Sequence, residues 1–298
     1  MKIQAPKGMR DFYPEDWRLQ TWLFNHWRAV SQAAGFCEFE GPIFEDLALY
    51  ETKSGEGIVS ELFHFEDRGG RHFAIRPEMT PTLARMVAAR ANALPRPIKW
   101  FSIPRMCRAE KPQRGRLREF FQWNVDILGI DEVLADAEVI SVAVSLLRRL
   151  GLTSQDVVVK LSSRALATAV LQSVGITPDT AATAFQLIDR AEKLEPQAFQ
   201  QQWDAQFGAQ VAAPAVMELL ATATLERCLQ IAAESGPDGG GVATQFEELW
   251  TALQAFEAAD FCEFDLRTVR GLAYYTGPVF EVRTRSAGLR ALFGGGRY

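Results

Sequence analysis

Apolar residues recur at helical spacing in two long stretches of the chain. The first begins with Asp16 as the N-cap and ends at Gly35, which suits the left-handed position after a helix C-terminus. The second covers residues 131–150, with Arg148 and Arg149 in its last turn and Gly151 just after it, a favourable order for a helix C-terminus. The spacing therefore predicts two amphipathic helices with one face turned to a core.

Short apolar runs bounded by turn residues predict strands elsewhere. Residues 36–44 alternate like a strand but contain Gly41-Pro42, which limits them to an edge or an interface because proline donates no ladder hydrogen bond. Residues 62–76 predict a hairpin, and Thr80 followed by Pro81 predicts a helix start with Thr80 as N-cap. Further strands are expected at residues 156–161, 261–266, 274–284 and 289–293.

Two apolar runs, residues 100–103 and 120–128, enclose a basic segment that contains Lys111-Pro-Gln-Arg-Gly115. This order predicts two strands joined by a long cationic loop. The loop and its flanks hold six cations against one nearby anion, Glu110: Arg105, Arg108, Lys111, Arg114, Arg116 and Arg118. Such a field suits a polyphosphate or a nucleic-acid end, although charge alone favours a solvated surface loop, because charge runs usually lie on the surface.

Composition limits the function classes. The chain has 298 residues, 48% of them hydrophobic, and a net charge of −5, so it can bury the core of one large domain or two. Nucleic-acid binding would depend on local basic clusters rather than on overall charge. The four cysteines form no Cys-x-x-Cys pair and only three histidines occur, so no metal site is expected. Without a signal peptide or a long apolar run, we expect a reduced cytoplasmic setting.

Residues 163–241 differ from the rest because they are rich in Ala and Gln and predict helices. They end in Ser235-Gly-Pro-Asp-Gly-Gly-Gly241, which predicts an exit linker before a helix at residues 242–258. We therefore expect an inserted helical domain.

Residue order in the basic segment is more specific than its charge. The run Arg108-Ala-Glu-Lys-Pro-Gln-Arg-Gly-Arg-Leu-Arg-Glu-Phe-Phe-Gln122 resembles motif 2 of class II aminoacyl-tRNA synthetases, in the form used by histidyl-tRNA synthetases. Arg270-Gly-Leu-Ala-Tyr-Tyr-Thr-Gly-Pro-Val-Phe-Glu281 and Gly294-Gly-Gly-Arg-Tyr298 resemble the two histidine-specific motifs of that family. The opening residues 6–15 resemble its N-terminal segment, and the matches occur in the expected order.

The resemblance implies an α+β fold in which helices flank the antiparallel sheet of class II synthetases. Residues 1–162 and 242–298 would form the catalytic core, and residues 163–241 the helical insertion. The strand at 36–44 would be motif 1, which builds a homodimer interface. No segment resembles motif 3 or the anticodon-binding domain, so we expect a C-terminally incomplete core with a marginal fold near residues 285–298.

The resemblance also implies histidine–tRNA ligase activity with ATP and Mg²⁺, and a role for each matching residue. Arg108 and Arg270 would be catalytic, through contacts with the α-phosphate and the histidine carboxylate. ATP would be bound by Arg108, Glu110, Arg116, Phe120 and Arg270. Histidine would be bound by Glu78, Thr80, Arg108, Gln122, Asp126, Arg270, Tyr274 and Tyr275. The acceptor end of tRNA(His) would meet Gln113 and Arg116.

Residue types at these positions suit the chemistry. Arginine binds phosphate through a planar fork and does not deprotonate, and a carboxylate with a phenol can hold the two imidazole nitrogens. Gln122, Asn124 and Asp126 are two apart, so a strand would place them on one face. The chain has Asp126 where bacterial relatives often have glutamate, and Ala273 where they have aspartate.

Two other functions compete with the ligase. One is a synthetase paralogue that binds histidine without charging tRNA, such as the regulatory subunit of ATP phosphoribosyltransferase. Such a protein would not need the full phosphate-binding set, so ATP binding discriminates between the two. The other is a tRNA-binding module, which only the basic loop favours.

Overall fold

A computed structural model describes residues 3–51, 62–112, 117–191, 194–208, 211–235, 237–268, 275–286 and 291–298. The chain divides into two compact units, residues 1–130 and 131–298. No helix in these described ranges has the length and apolar character needed to cross a membrane.

The first unit mixes helices with short strands, as predicted for an α+β protein. In chain order its elements are α1 (Pro14–Ala33), β1 (Cys37–Glu38), β2 (Phe44–Asp46), α2 (Leu47–Glu51), β3 (Phe63–Glu66), β4 (His72–Ile75), α3 (Thr80–Ala89), β5 (Ile98–Ser102), β6 (Arg105–Cys107), β7 (Glu119–Phe121) and β8 (Asn124–Leu128). Strands β2, β4 and β3 form one antiparallel sheet, which confirms the hairpin predicted over residues 62–76.

Helix α1 packs its aromatic side chains against β7 and against the residues between β7 and β8. The ring of Phe24 lies 4.9 Å from that of Phe121, and Trp27 stacks on Trp123 at 6.0 Å. These contacts explain the apolar face that the spacing predicted. The helix begins at Pro14 rather than Asp16, and Gly35 has the expected positive φ of +78°.

The strand predicted over residues 36–44 is interrupted at Gly41-Pro42 and forms β1 and β2. Strand β1 runs parallel to β5, whereas β2 pairs with β4. A Cβ at Gly41 would lie 2.4 Å from Cγ2 of Thr82, so only glycine permits this approach to α3. The interruption therefore has a packing cause as well as the missing donor of proline.

The second unit joins a sheet to a set of helices. In chain order its elements are α4 (Val133–Arg149), β9 (Val157–Ser163), α5 (Arg164–Ser173), α6 (Pro178–Ala191), α7 (Pro196–Phe207), α8 (Ala213–Thr222), α9 (Leu225–Glu234), α10 (Pro237–Ala255), a 3₁₀ turn (Ala259–Phe261), β10 (Cys262–Phe264), β11 (Pro278–Thr284) and β12 (Phe293–Gly296).

Strand order in this sheet is β10–β9–β11–β12. Strand β10 is parallel to β9, and the other pairs are antiparallel. The buried side chains of Leu161, Phe280 and Val282 share a core with those of the helices that follow β9. This face of the sheet is therefore covered within the unit.

Two local predictions in the second unit differ from the structure. Residues 237–241 belong to α10 and not to an exit linker, because proline is tolerated in a first helical turn and the neighbouring helix residues bury an apolar face. The strand predicted at 289–293 is described at Phe293–Gly296, further along the chain than expected, because backbone pairing with β11 overrides the low strand propensity of glycine. Residues 287–290 lie outside the described part of the chain.

Candidate active site

The two arms of the predicted basic hairpin are paired, and each arm contains two short strands. Strand β5 pairs with β8, with Trp100 opposite Asp126, and β6 pairs with β7, with Arg105 opposite Phe121. The backbone N–H of Arg108 donates to the carbonyl oxygen of Arg118 at 2.8 Å, which continues the pairing towards the tip. The predicted ligands Gln113 and Arg116 lie outside the described residues.

Arg108, Glu110 and Phe120 lie together on this hairpin. The guanidinium carbon of Arg108 lies 5.3 Å from the centre of the Phe120 ring, and its Nη1 lies 3.9 Å from Oε1 of Glu110. The side chains of Arg108 and Glu110 are 36% and 22% exposed, so a ligand can reach both. The structure thus groups three of the residues predicted to bind ATP.

The segment between β4 and α3 holds Glu78 close to Arg108. Nε of Arg108 donates to the carbonyl oxygen of Pro77 at 3.1 Å. The backbone N–H of Cys107 donates to the carbonyl oxygen of Arg76 at 3.0 Å. The side chain of Glu78 is buried. A cation and a carboxylate are therefore fixed on neighbouring segments, as recognition of an amino acid's carboxylate and ammonium groups requires.

Thr80 is the first residue of α3, and Met79 occupies the cap position without a side-chain cap hydrogen bond. The prediction that Thr80 is the N-cap is therefore wrong by one residue. Met79 is buried in the core of the unit, and this packing fixes the start of the helix.

Gln122 and Asn124 carry buried polar atoms that are unsatisfied. Oε1 of Gln122 and Nδ2 of Asn124 have no hydrogen-bond partner among the described residues. Asn124 and Asp126 are two apart in β8 and share a face, whereas Gln122 precedes the strand. Buried polar atoms normally find partners, so these two atoms fit a place where a polar ligand supplies them.

The N-terminal arm, residues 6–12, contributes to this site in a way that the sequence reasoning missed. The backbone N–H of Arg118 donates to the carbonyl oxygen of Gly8 at 2.8 Å. Gly8 has a φ of +88°, and a Cβ there would lie 2.7 Å from Cγ of Pro112. The glycine in the Pro6-Lys-Gly-Met-Arg10 segment was the available signal, because both its conformation and this approach exclude a side chain.

In the second unit, Tyr275 packs against the edge strand β12. A Cβ at Gly296 would lie 2.8 Å from Cδ1 of Tyr275. The backbone N–H of the next residue, Thr276, donates to the carbonyl oxygen of Arg297 at 2.9 Å. Arg270 and Tyr274, also predicted as ligands, lie outside the described residues.

Ion pairs fix Arg297 itself. Its Nη1 lies 2.6 Å from Oδ1 of Asp131, and its Nη2 contacts the carboxylate of Asp136. Hydrogen bonding to Asp136 raises the pKa of Arg297 above its ordinary value. The Gly294–Tyr298 motif is thus anchored to the start of α4.

The hairpin, the adjoining carboxylate and the α+β architecture define a class II aminoacyl-tRNA synthetase fold. The sequence profile described as Histidyl-tRNA synthetase matches residues 8–298. The chain belongs to the histidyl-tRNA synthetase family.

Individual relatives agree with this assignment. The chain is 42% identical over 301 residues to a histidine–tRNA ligase of Opitutus terrae, covering 99% of this chain and 68% of that protein. It is 40% identical over 296 residues to a chloroplastic/mitochondrial histidine–tRNA ligase of Arabidopsis thaliana, covering 99% of this chain and 60% of that protein. The chain therefore spans three fifths to two thirds of the length of these relatives.

A solved structure shares the fold over nearly the whole chain. It is described as an ATP phosphoribosyltransferase regulatory subunit/histidyl-tRNA synthetase from Bacillus halodurans, with a TM-score of 0.83 and 24% identity. The match covers 99% of this chain and 76% of that one.

Proposed function

We propose that this chain is the histidine-activating part of a histidine–tRNA ligase, which joins histidine to AMP and then transfers it to tRNA(His). The observation that carries the proposal is the position of Arg108. Its guanidinium lies beside Phe120 and Glu110 on one side and is tied to the carbonyl of Pro77, next to Glu78, on the other. One arginine thus stands between a nucleotide-binding cluster and an amino-acid-binding carboxylate.

Adenylate formation needs such a cation. The histidine carboxylate attacks the α-phosphate of ATP, and negative charge builds on the phosphoryl oxygens as two anions approach each other. Arg108 would bind both anions through its planar fork and stabilise the developing charge. In this proposal Phe120 stacks on the adenine ring and Glu110 accepts a hydrogen bond from the adenine amino group.

The histidine pocket would be formed by Glu78, Gln122 and Asp126, with Thr80 nearby at the start of α3. The buried, unpartnered Oε1 of Gln122 is an acceptor, which the donor-only α-ammonium group of histidine would satisfy. Asp126 would accept a hydrogen bond from the imidazole ring. The roles that the family implies for Arg270, Tyr274 and Tyr275 remain predictions, as do those of Gln113 and Arg116 at the tRNA end.

Mg²⁺ would enter with the phosphates of ATP. Within the described ranges no three acidic, histidine or cysteine side chains are grouped as a metal-binding cluster. The donor set present, arginines with one or two carboxylates, suits a nucleotide whose phosphates carry the ion. The ion would neutralise phosphate charge, while Arg108 holds and orients the reacting groups.

Partners and setting follow from the same proposal. We infer a homodimer formed through the motif 1 segment, a cytoplasmic location, and residues 163–241 as a helical insertion near the tRNA acceptor end. The catalytic core would then comprise residues 1–162 and 242–298, completed by sequence of the kind that the longer relatives carry.

Histidine-dependent exchange of pyrophosphate into ATP tests the proposal. Arg108→Ala is expected to lower the exchange rate by about 10²- to 10³-fold, as loss of a charge-stabilising group commonly does. Arg28→Ala is the control, because Arg28 forms a half-exposed ion pair with Glu38 and should change the rate little. Both should be measured in this chain and in a version extended to the length of the relatives.

Two results would contradict the proposed ligase function. Exchange that no amino acid stimulates, in the extended version, would exclude activation of histidine. Histidine binding without ATP binding would instead support the histidine-binding paralogue, which does not need the cluster of Arg108, Glu110 and Phe120.

A further inference from the structure

Arg76, at the end of β4, is a charged residue in the interior of the first unit. It is only 4% exposed. Arginine is almost never buried to this degree unless its guanidinium is fully bonded, because an unpaired buried charge is very costly. The contacts of this side chain should therefore be specific.

The guanidinium of Arg76 joins two other segments of the unit. Nη1 donates to Oε1 of Glu40 at 2.5 Å and to the carbonyl oxygen of Gly41 at 2.9 Å. The same nitrogen lies 3.4 Å from the carbonyl oxygen of Pro42. Nε donates to the carbonyl oxygen of Arg105 at 3.0 Å. One side chain thus connects the interruption between β1 and β2 to the start of β6.

The backbone around Arg76 continues these connections into the site. Its N–H donates to the carbonyl oxygen of Ile43 at 3.1 Å, and its carbonyl accepts from the N–H of Cys107 at 3.0 Å. The carbonyl of the next residue, Pro77, accepts from Nε of Arg108 at 3.1 Å. The segment that carries Glu78 is therefore attached twice to the end of β6: through Cys107, its last residue, and through Arg108, which follows it.

We propose that Arg76 is a positioning residue that sets the distance between Glu78 and Arg108, and with it the affinity for the amino acid. The inference rests on the proposed function for its consequence in binding. Its structural part, the attachment of segment 76–78 to β6, stands on the contacts alone.

The fork of the arginine matters more than its charge in this arrangement. Glu40 is 61% exposed at its side chain, so its attraction for Arg76 is screened by water. The carbonyls of Gly41 and Arg105 are approached by different nitrogens of one rigid plane. Lysine has a single donor group and cannot reproduce both contacts.

The test compares Arg76→Lys with Arg85→Lys. Arg85 also forms a forked pair, with Nε 3.0 Å from Oε2 and Nη2 2.6 Å from Oε1 of Glu45, and that glutamate is 8% exposed. Both variants replace the forked contact of an arginine in the first unit by the single ammonium group of a lysine. Glu40→Gln is the third variant, since it removes the charge of the partner and keeps an acceptor oxygen.

Two measurements decide the outcome. The first is hydrogen exchange at the Cys107 amide, with the amides of β5 as the monitor of global opening. The second is the affinity for histidine, measured by calorimetry. The KM values for histidine and for ATP are compared in the pyrophosphate-exchange assay. We expect R76K to accelerate hydrogen exchange at the Cys107 amide about tenfold and to weaken histidine binding about tenfold. The KM for ATP should change less. R85K and E40Q should stay within about threefold of the unmodified protein.

The inference is overturned if R76K and R85K affect the Cys107 amide and histidine binding equally, or if E40Q matches R76K. If the unmodified protein binds no histidine, the proposed function fails, and exchange at Cys107 still decides the positioning role. Should R76K not fold, Arg76→Gln takes its place with the same expected direction.

Discussion

Replacing Gly296 with alanine should destabilise the second unit, because β12 passes too close to its neighbours for a side chain. The added Cβ would lie 2.8 Å from Cδ1 of Tyr275, 2.8 Å from Cγ1 of Val279 and 3.0 Å from the carbonyl oxygen of Pro278. The backbone oxygen cannot yield without moving β11. Overpacking of this kind typically costs about 1–3 kcal/mol.

Urea unfolding followed by tryptophan fluorescence measures the effect, since Trp203 is fully buried and Trp250 partly buried in this unit. With an m-value of about 2 kcal/mol/M for a unit of this size, the midpoint should fall by about 0.5–1.5 M. If Tyr275 binds the imidazole ring as predicted, displacement of its ring should also weaken histidine binding, which calorimetry would show.

Gly241→Ala is the matched control. Gly241 lies in α10 of the same unit, and a Cβ there would meet nothing within 4 Å. Alanine in place of glycine in a helix should stabilise by about 0.5–1 kcal/mol, so the midpoint should rise. An unchanged or higher midpoint for G296A would refute the steric argument, and so would equal losses in both variants.

Three further outcomes are expected. Asp126→Asn should weaken histidine binding more than binding of an isosteric analogue without the ring donor, and calorimetry showing equal losses would make Asp126 structural. At pH 8 the exposed Cys37 should be alkylated first, which mass spectrometry would show. Burial raises the pKa of Cys262 to about 12, so only about one in ten thousand of its thiols is ionised at this pH. Labelling of Cys262 should therefore require unfolding. Gly8→Ala should cost about 1–3 kcal/mol through its positive φ and the approach of Pro112, and faster proteolysis of the N-terminal arm would reveal it.

Features fixed by local chemistry could be predicted from the sequence. Gly35 has the positive φ expected of it, and Gly151, expected just after the second helix, also has a positive φ. The arms of the basic hairpin pair where the apolar runs were found. Within the site, Arg108, Glu110 and Phe120 are brought together because they lie on one hairpin. Short-range pairing decides these features, so the residue order sufficed for the helix ends and the hairpin, whereas the choice of the three site residues came from the family resemblance.

Features that depend on distant segments were missed. The contacts of Arg76 join residues near 40, 76 and 105, and no spacing pattern connects these positions. Strand β12 contains three glycines in succession, which sequence reasoning would place in a loop, yet Gly295 fits under the ring of Phe280 where a Cβ would lie 2.9 Å away. The helix start at Pro237 was mistaken for a linker because glycine weakens the helical pattern there, whereas the core contacts of the helix lie further along.

The bond between Gly8 and Arg118 also has a consequence for how the first unit folds. The two residues are 110 positions apart (118 − 8), and the carbonyl of the first accepts from the amide of the second. Contacts of such long range form slowly, because a large loop must close before they contribute. During synthesis the segment around Gly8 leaves the ribosome well before Arg118 and the strand that follows it have been made. We expect the basic hairpin to reach its final geometry only when the segment around Gly8 docks beside it, late in the folding of this unit.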